Sequence, residues 1–254
     1  MQSKIIGTVL PVLEVSLDAG DTIVAAPGEF SWMTEGVQLN TTAMTAGAKG
    51  ILGVLGRAVS GGGLFMTEYT APHGNGLVGF AAKIPGQIVP VDVQPGRGYM
   101  IHRDGFLCAT AGVELNVGFQ RGLGAGIFGG NGFVLQKLSG TCSAWVELGG
   151  EIVIYDLKPG ESIQAHPGHV GMFEESVNFD IRIMQGITNA LFGGDGLFLA
   201  HLTGPGRVWL QTLTLPNLAH AIQPYVVAST RETAQAGIAG GVAGAVMKNF
   251  FGGQ

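Results

Sequence analysis

Histidines and glutamates are the residues whose spacing comes nearest to a reactive site. Residues 166–169 read His-Pro-Gly-His, which places two imidazoles three residues apart, and Glu174 and Glu175 follow downstream. Imidazole and carboxylate groups can ligate a metal, but a site needs three or four ligands at fixed geometry. One reading of the sequence is therefore a small-ligand or metal-binding protein, or an enzyme, with a site between repeats near His102, His166 and His169.

Other reactive motifs are missing from the sequence. Ser60 lies in Val-Ser-Gly, which lacks the first glycine of a nucleophile elbow. The glycine-rich run 122–126 lacks the lysine of a phosphate-binding loop and the context of a dinucleotide fold. Since no nucleophile, base and orienting group can be combined from the spacings, we assign no catalytic, cofactor-binding or metal-binding residue and expect no cofactor.

Composition and charge exclude several protein classes. The chain has 254 residues, 44 of them glycine, a net charge of −5 and only 12% charged residues. Its 13 basic residues form no cluster, so we expect no nucleic-acid partner. Cys108 and Cys142 are too few for a disulfide scaffold, and we expect free buried thiols. Residues 1–13 lack the features of a secretory signal, so we expect a cytoplasmic protein, with attachment to the inner face of the membrane left open.

Internal repeats account for most of the chain. Residues 86–148 align without gaps on residues 150–212, with 17 of 63 positions identical. His102 falls on His166 in this alignment. An upstream copy matches at several turns and strands, and in it Ala26 takes the histidine position and Phe80 takes the position of Trp145 and Trp209.

The repeats predict an all-β fold. Each copy contains short β-branched or alternating runs, such as residues 86–93, 106–110 and 133–138, separated by Pro-Gly or Gly-rich turns. We expect three pseudo-symmetric repeats (about 10–85, 86–149 and 150–215) of antiparallel strands, forming sandwich- or barrel-like sheets in a single domain, 1–228.

Apolar inserts and the C-terminus are the remaining features. We expect a helical turn or loop in each insert, at 46–60, 121–128 and 185–192. The small-residue tail 229–254 predicts a short helix or a mobile segment, and its uncharged stretch is too short to cross a bilayer. The repeated aromatic positions favour core packing, whereas for Trp32 and Met33 a subunit contact stays open.

Several motifs resemble one family. They are the Ala-Gly-Asp to Trp-Met stretch at 19–33, Gly-Gly-Gly-Leu-Phe at 61–65 and Gly-Pro-Gly-Arg-Val-Trp-Leu at 204–210. They resemble the altered-inheritance-of-mitochondria-24 type family over about residues 10–227. This resemblance implies a fold similar to that of the tryptophan RNA-binding attenuation protein and a homotrimer. It implies no catalytic residue and, on this poorly basic chain, no RNA binding.

Taken together, these observations favour a non-enzymatic structural or interaction protein. We expect a homotrimeric β scaffold that contacts a protein partner or a membrane surface through its apolar inserts or tail. The ligand-binding or enzymatic reading near the three histidines remains the alternative.

Overall fold

The computed structural model describes residues 1–44, 64–121, 133–183 and 198–225. Contacts divide the chain into two compact units, Met1–Thr214 and Leu215–Gln254. The strands of the first unit are β1 (Gln2–Ile6), β2 (Val12–Leu17), β3 (Thr22–Ala25), β4 (Trp32–Met33), β5 (Gln38–Met44), β6 (Leu64–Thr70), β7 (Gly76–Ala81), β8 (Gly86–Val93), β9 (Tyr99–His102), β10 (Phe106–Thr110), β11 (Val113–Arg121), β12 (Phe133–Gly140), β13 (Cys142–Gly149), β14 (Ile152–Leu157), β15 (Ser162–Ala165), β16 (Val170–Glu174), β17 (Asn178–Ile183), β18 (Phe198–Thr203) and β19 (Gly206–Gln211).

These strands form four sheets, and every pairing between the named strands is antiparallel. Sheet 1 has the order β1-β2-β7-β4, and sheet 2 has the order β5-β6-β3-β10-β13-β8. Sheet 3 follows as β11-β12-β9-β16-β19-β14, and sheet 4 as β15-β18-β17. The all-β fold class predicted from the sequence is confirmed, and β8 and β10 have the predicted bounds.

In the described part of the chain, three hydrophobic cores separate the four sheets. Core 1 lies between sheets 1 and 2 and includes Leu13, Phe80 and Trp145. Core 2 lies between sheets 2 and 3 and includes Val146 and Trp209. Core 3, between sheets 3 and 4, consists of Phe133, Leu135, Leu157, Val170, Phe173, Val177, Ile181, Ala200, Leu202 and Val208. The central strands of sheets 2 and 3 are therefore buried on both faces, which explains the nearly continuous apolar runs of β10, β13 and β16.

Each six-stranded sheet combines strands of two successive sequence repeats. In sheet 2, β3 of the first repeat pairs with β10 of the second, with Cys108 opposite Ala25 and Ala109 opposite Val24. In sheet 3, β9 of the second repeat pairs with β16 of the third. We call these contacts the first and second joints. The pairing order of the two sheets matches strand for strand, while the arrangement of the repeats about a threefold axis stays a prediction.

The pairing registers correct one alignment made from the sequence. Trp145 lies opposite Pro90, and Trp209 lies opposite Ile154. On the corresponding strands of the first repeat, Glu14 lies opposite Gly79 rather than Phe80. Gly79 is therefore the counterpart of the two tryptophans, because Phe80 points to the other face of its strand, into core 1.

The second unit is described only at its beginning, where residues 215–225 form a helix. Proline at position 216 suits the first helical turn, where a backbone N–H has no helical acceptor. Leu215, Ile222 and Tyr225 are exposed. The predicted tail 229–254, the inserts 46–60 and 185–192, and all of the insert 121–128 except Arg121 at the end of β11 lie outside the described residues.

Candidate functional site

His166 and His169 lie at the end of β15, where a short 3-10 turn spans Pro167–His169. His166 precedes the turn, and its Nδ1 accepts a hydrogen bond from the Gly168 N–H at 3.3 Å. The two imidazole rings are 5.9 Å apart and nearly perpendicular. Burial, followed by the neighbouring His169, lowers the pKa of His166, so its ring is neutral at pH 7. The pair that the sequence singled out is thus brought together as a cap on a turn.

His102 has a different set of contacts. It ends β9, and its Nε2 donates to the carbonyl oxygen of Glu147 at 3.1 Å. His169 makes the corresponding bond one repeat later, since its Nδ1 lies 2.7 Å from the carbonyl oxygen of Gln211. Desolvation lowers the pKa of His102, although some of its surface remains accessible. The imidazoles of His102 and His169 therefore bond to different carbonyl groups, one at each of two successive connections between repeats.

Glu147 and Gln211 bind backbone segments with their side chains, and sequence reasoning missed both. They are 64 residues apart, both are buried, and each lies at or near the end of a strand, next to the segment that enters its own repeat. Glu147 Oε1 accepts from the N–H groups of Lys83 and Ile84. Gln211 Oε1 accepts from the Gly149 N–H at 2.9 Å. The available signal was the polar residue two places after each of Trp145 and Trp209, where the other residues between the tryptophan and the end of the strand are apolar or glycine.

A polar cluster surrounds the first of these positions. Glu29 is only 6% exposed, and its Oε1 binds the Lys83 ammonium. Its Oε2 is buried and has no hydrogen-bond partner among the residues described. Burial raises the pKa of both Glu29 and Glu147, against the opposing effect of Lys83. Burial also raises the pKa of the Cys108 thiol well above its ordinary value, which leaves it protonated and a poor nucleophile.

The geometry around these groups holds backbone segments together. Within the part of the chain that the structure describes, no three His, Cys, Asp or Glu side chains converge closely enough to hold a metal ion. Both cysteines are free and buried, as expected. A groove of about 370 Å³ lies between the β1–β2 turn and the start of β8, and Gln87 and Glu151 hydrogen-bond to each other at its wall. One carboxylate and one amide do not form a catalytic set.

Trp32 differs from the other two tryptophans of the chain in its exposure. Trp145 and Trp209 are 6% and 7% exposed, as core packing requires, whereas Trp32 is 43% exposed. Its indole lies over Gly79, so closely that a β-carbon on Gly79 would overlap the ring. Sheet 1 thus carries a tryptophan at the place where β13 and β19 carry theirs, but on a face that no sheet of the described chain covers.

Sheet sharing between repeats, three successive cores and polar groups that fix the inter-repeat segments define a multilayered β-repeat protein. The family model described as Mitochondrial biogenesis AIM24 matches residues 3–213. The chain therefore belongs to the AIM24 family, as its motifs predicted. In the described ranges, no helix has the length and hydropathy that a membrane span requires.

Two further comparisons agree with this family. The chain is 25% identical over 224 residues to an uncharacterised protein of Streptococcus pyogenes serotype M6, covering 87% of this chain and 88% of that protein. It is similar to the X-ray crystal structure of a Streptococcus pyogenes protein with a TM-score of 0.70 and 22% identity, covering 88% of this chain and 99% of the other. At this identity, the second likeness shows the fold alone.

Proposed function

We propose that the protein is a non-enzymatic scaffold that self-associates into a homotrimer and contacts a protein partner or a membrane surface. The observation that supports this function is the incompleteness of the two outer sheets. Among the described strands, sheets 2 and 3 have six each, whereas sheet 1 has four and ends at β4, and sheet 4 has three and ends at β15. An open sheet edge presents unpaired backbone groups that favour association with another chain.

Exposed apolar side chains supply a surface for a further partner. Ile5 and Ile6 on β1 are each 39% exposed, and Val9 and Leu10 in the following turn are 66% and 57% exposed. Contiguous exposed apolar residues mark interaction surfaces more often than isolated ones do. A cytoplasmic location fits two cysteines that remain free and buried.

Light scattering on the full chain tests the assembly. The chain mass is 26.2 kDa, so a homotrimer gives about three times this value. A monomer over a wide range of protein concentrations contradicts the trimeric scaffold.

A binding assay tests the apolar surface. We compare the double variant Val9→Ser/Leu10→Ser with Leu39→Ser, a control at an exposed leucine on β5 (47% exposed). Binding to anionic vesicles, or to a protein captured and identified by mass spectrometry, should fall in the double variant only. Loss of binding in both variants, or in neither, removes this surface from the proposal.

A small-ligand or metal-binding function, or an enzymatic one, is the second candidate. Its site would lie near His102, His166 and His169. Two separate observations favour it: the buried Glu29 Oε2 lacks a hydrogen-bond partner among the described residues, and the His166 and His169 rings are 5.9 Å apart. Metal analysis after native purification, repeated on His166→Ala, tests it. A stoichiometric metal that His166→Ala loses would make this the better function.

A further inference from the structure

The two joints inside the chain share one register. At the first joint Ala109 lies opposite Val24, and at the second Phe173 lies opposite Met100. The strand on one side always follows the same bulge, between Phe106 and Cys108 in β10 and between Val170 and Met172 in β16. The two joints thus have the same pairing register although their sequences differ. The same register can be applied to the other strands that correspond to β3 and β10.

Each of the two outer sheets ends in a strand that corresponds to one side of a joint but has no joint partner among the described strands. β4 is the counterpart of β10 and β16, and it is bonded to β7 alone among the described strands. β15 is the counterpart of β3 and β9, and it is bonded to β18 alone in the same described set. Applying the joint register to these two strands places Met33 opposite Gln164 and Trp32 opposite Ala165.

The backbone directions of both edges agree with this register. Gly204 N–H donates to the Glu161 carbonyl at 2.9 Å, so the alternation of an antiparallel pair points the N–H and C=O of Gln164 away from β18. Thr34 N–H donates to the Leu77 carbonyl at 2.9 Å, which by the same alternation points those groups of Met33 away from β7. The two residues that the register pairs are therefore the ones whose backbone groups face outward.

The tryptophans give a second, independent observation. Core 1 receives Trp145 from the second repeat, and core 2 receives Trp209 from the third. Core 3 contains no tryptophan, and its partly buried residues Ile163 and Ala165 lie on the open edge strand. Trp32, the third tryptophan of the chain, occupies the corresponding position over Gly79 and is exposed.

Both edges also lack the usual protection against pairing. Natural edge strands are commonly blocked by lysine, by proline or by inward-pointing charges. β15 reads Ser-Ile-Gln-Ala and β4 reads Trp-Met, so neither strand carries a charge or a proline.

We propose that β4 of one copy pairs antiparallel with β15 of a second copy, so that Met33 faces Gln164 and the Trp32 indole packs against core 3 of that copy. This inference rests on the self-association in the proposed function and specifies its interface. The contact is heterologous, since each copy offers a different edge, and a heterologous contact that closes gives a ring. Three copies form a ring in which no such edge remains open.

Two variants each disable one edge. Trp32→Lys keeps an aliphatic stem over Gly79 but places a charge where the indole would enter core 3. Gln164→Pro removes the outward N–H, and an edge strand tolerates proline when that N–H faces solvent. Gln164→Thr, which keeps the N–H, and Leu39→Lys, a charge at an exposed leucine elsewhere, are the matched controls.

Light scattering on the full chain tests the β4–β15 interface. Wild type and both controls should have about three times the chain mass of 26.2 kDa, and each edge variant should fall to the chain mass, a threefold loss. An equimolar mixture of the two edge variants should then recover a dimer, because one intact β4 and one intact β15 remain. Circular dichroism verifies that each variant is folded.

Each other outcome has a distinct meaning. If the edge variants keep the wild-type mass, the β4–β15 interface is wrong while the trimeric scaffold stands. If the wild type is a monomer, both are wrong. If a variant does not fold, hydrogen exchange on the wild type decides: the amides of Met33 and Gln164 should exchange more slowly in the oligomer than after dilution to monomer, and rapid exchange in the oligomer overturns the interface.

Discussion

Replacing Gln211 by methionine should destabilise the protein although the volume of the side chain hardly changes. Gln211 is 6% exposed and joins two backbone segments: its Oε1 accepts from the Gly149 N–H at 2.9 Å, and its Nε2 donates to the Gly168 carbonyl at 3.0 Å. Methionine fills the space but leaves both groups without this partner. A buried unsatisfied group costs about 1–3 kcal/mol, and the partly buried carbonyl belongs near the lower limit, so we expect a loss of about 2–4 kcal/mol.

Urea unfolding followed by circular dichroism measures this loss, at one protein concentration because self-association raises apparent stability. Gln94→Met is the control, since among the described residues the Gln94 amide bonds to the exposed Asp92 carboxylate alone. Its effect should stay within about 0.5 kcal/mol. A loss below about 0.5 kcal/mol for Gln211→Met would refute the idea that this amide holds the entry to the third repeat.

Gln211→Glu adds a pH signature to the same test. The carboxylate keeps an acceptor for Gly149 N–H but turns its second oxygen toward the Gly168 carbonyl, where Nε2 now donates. Burial should raise the pKa of the introduced carboxyl, as it does for Glu147 at the corresponding position. An acid with a raised pKa in the folded state loses stability as pH rises, so this variant should be closer to wild type at pH 5 than at pH 8. Equal destabilisation at both pH values contradicts the geometry.

Three further predictions follow from the described residues. The lowered pKa of His102 means that the unfolded chain binds its proton first, so stability should fall as pH drops below 6.5, and His102→Asn should flatten this fall by at most about 1.4 kcal/mol per pH unit in urea titrations. Burial raises the pKa of Cys142 to about 11, so its alkylation at pH 8 should be about 100-fold slower in the folded protein than in guanidinium, and equal rates would contradict its burial. Gly140 has φ +110°, and a β-carbon there would overlap the carbonyl oxygen of Gly112. Gly96 has φ +77°, but the space around it is open, so Gly96→Ala should lower the unfolding free energy by about 1 kcal/mol. Gly140→Ala should lower the unfolding free energy by more than this.

Buried polar side chains explain how a chain with so few charges fixes the position of each sheet on the next. Glu147 and Gln211 each hold the segment that enters their own repeat, and His102 and His169 bond to the carbonyl groups of the same two residues. Apolar packing is non-directional, whereas these bonds act at fixed positions. The specific placement of one layer on the next therefore depends on a few buried polar groups.

Strand content followed directly from the sequence. The apolar run at 106–110 is β10 with the predicted bounds, and the run at 133–138 begins β12. Alternation, β-branched residues and turn glycines act locally, within a few residues, so they can be read from the chain itself. The free state of Cys108 and Cys142 was equally accessible from their number.

The strand partners were decided only by the tertiary structure. Periodicity assigns a residue to a face of its strand but does not say which strand lies at its edge, so the pairing of β3 with β10, across two repeats, was not predictable. For the same reason Phe80 was matched to Trp145 and Trp209, although a one-residue difference in register gives that place to Gly79. The roles of Glu147 and Gln211 also depend on backbone groups from distant segments, which meet only when the sheets are stacked. The sequence determined the strands and their faces because alternation, β-branching and turn glycines act over a few residues. The tertiary structure decided which strands are neighbours because hydrogen bonds across a sheet edge join residues far apart in the chain.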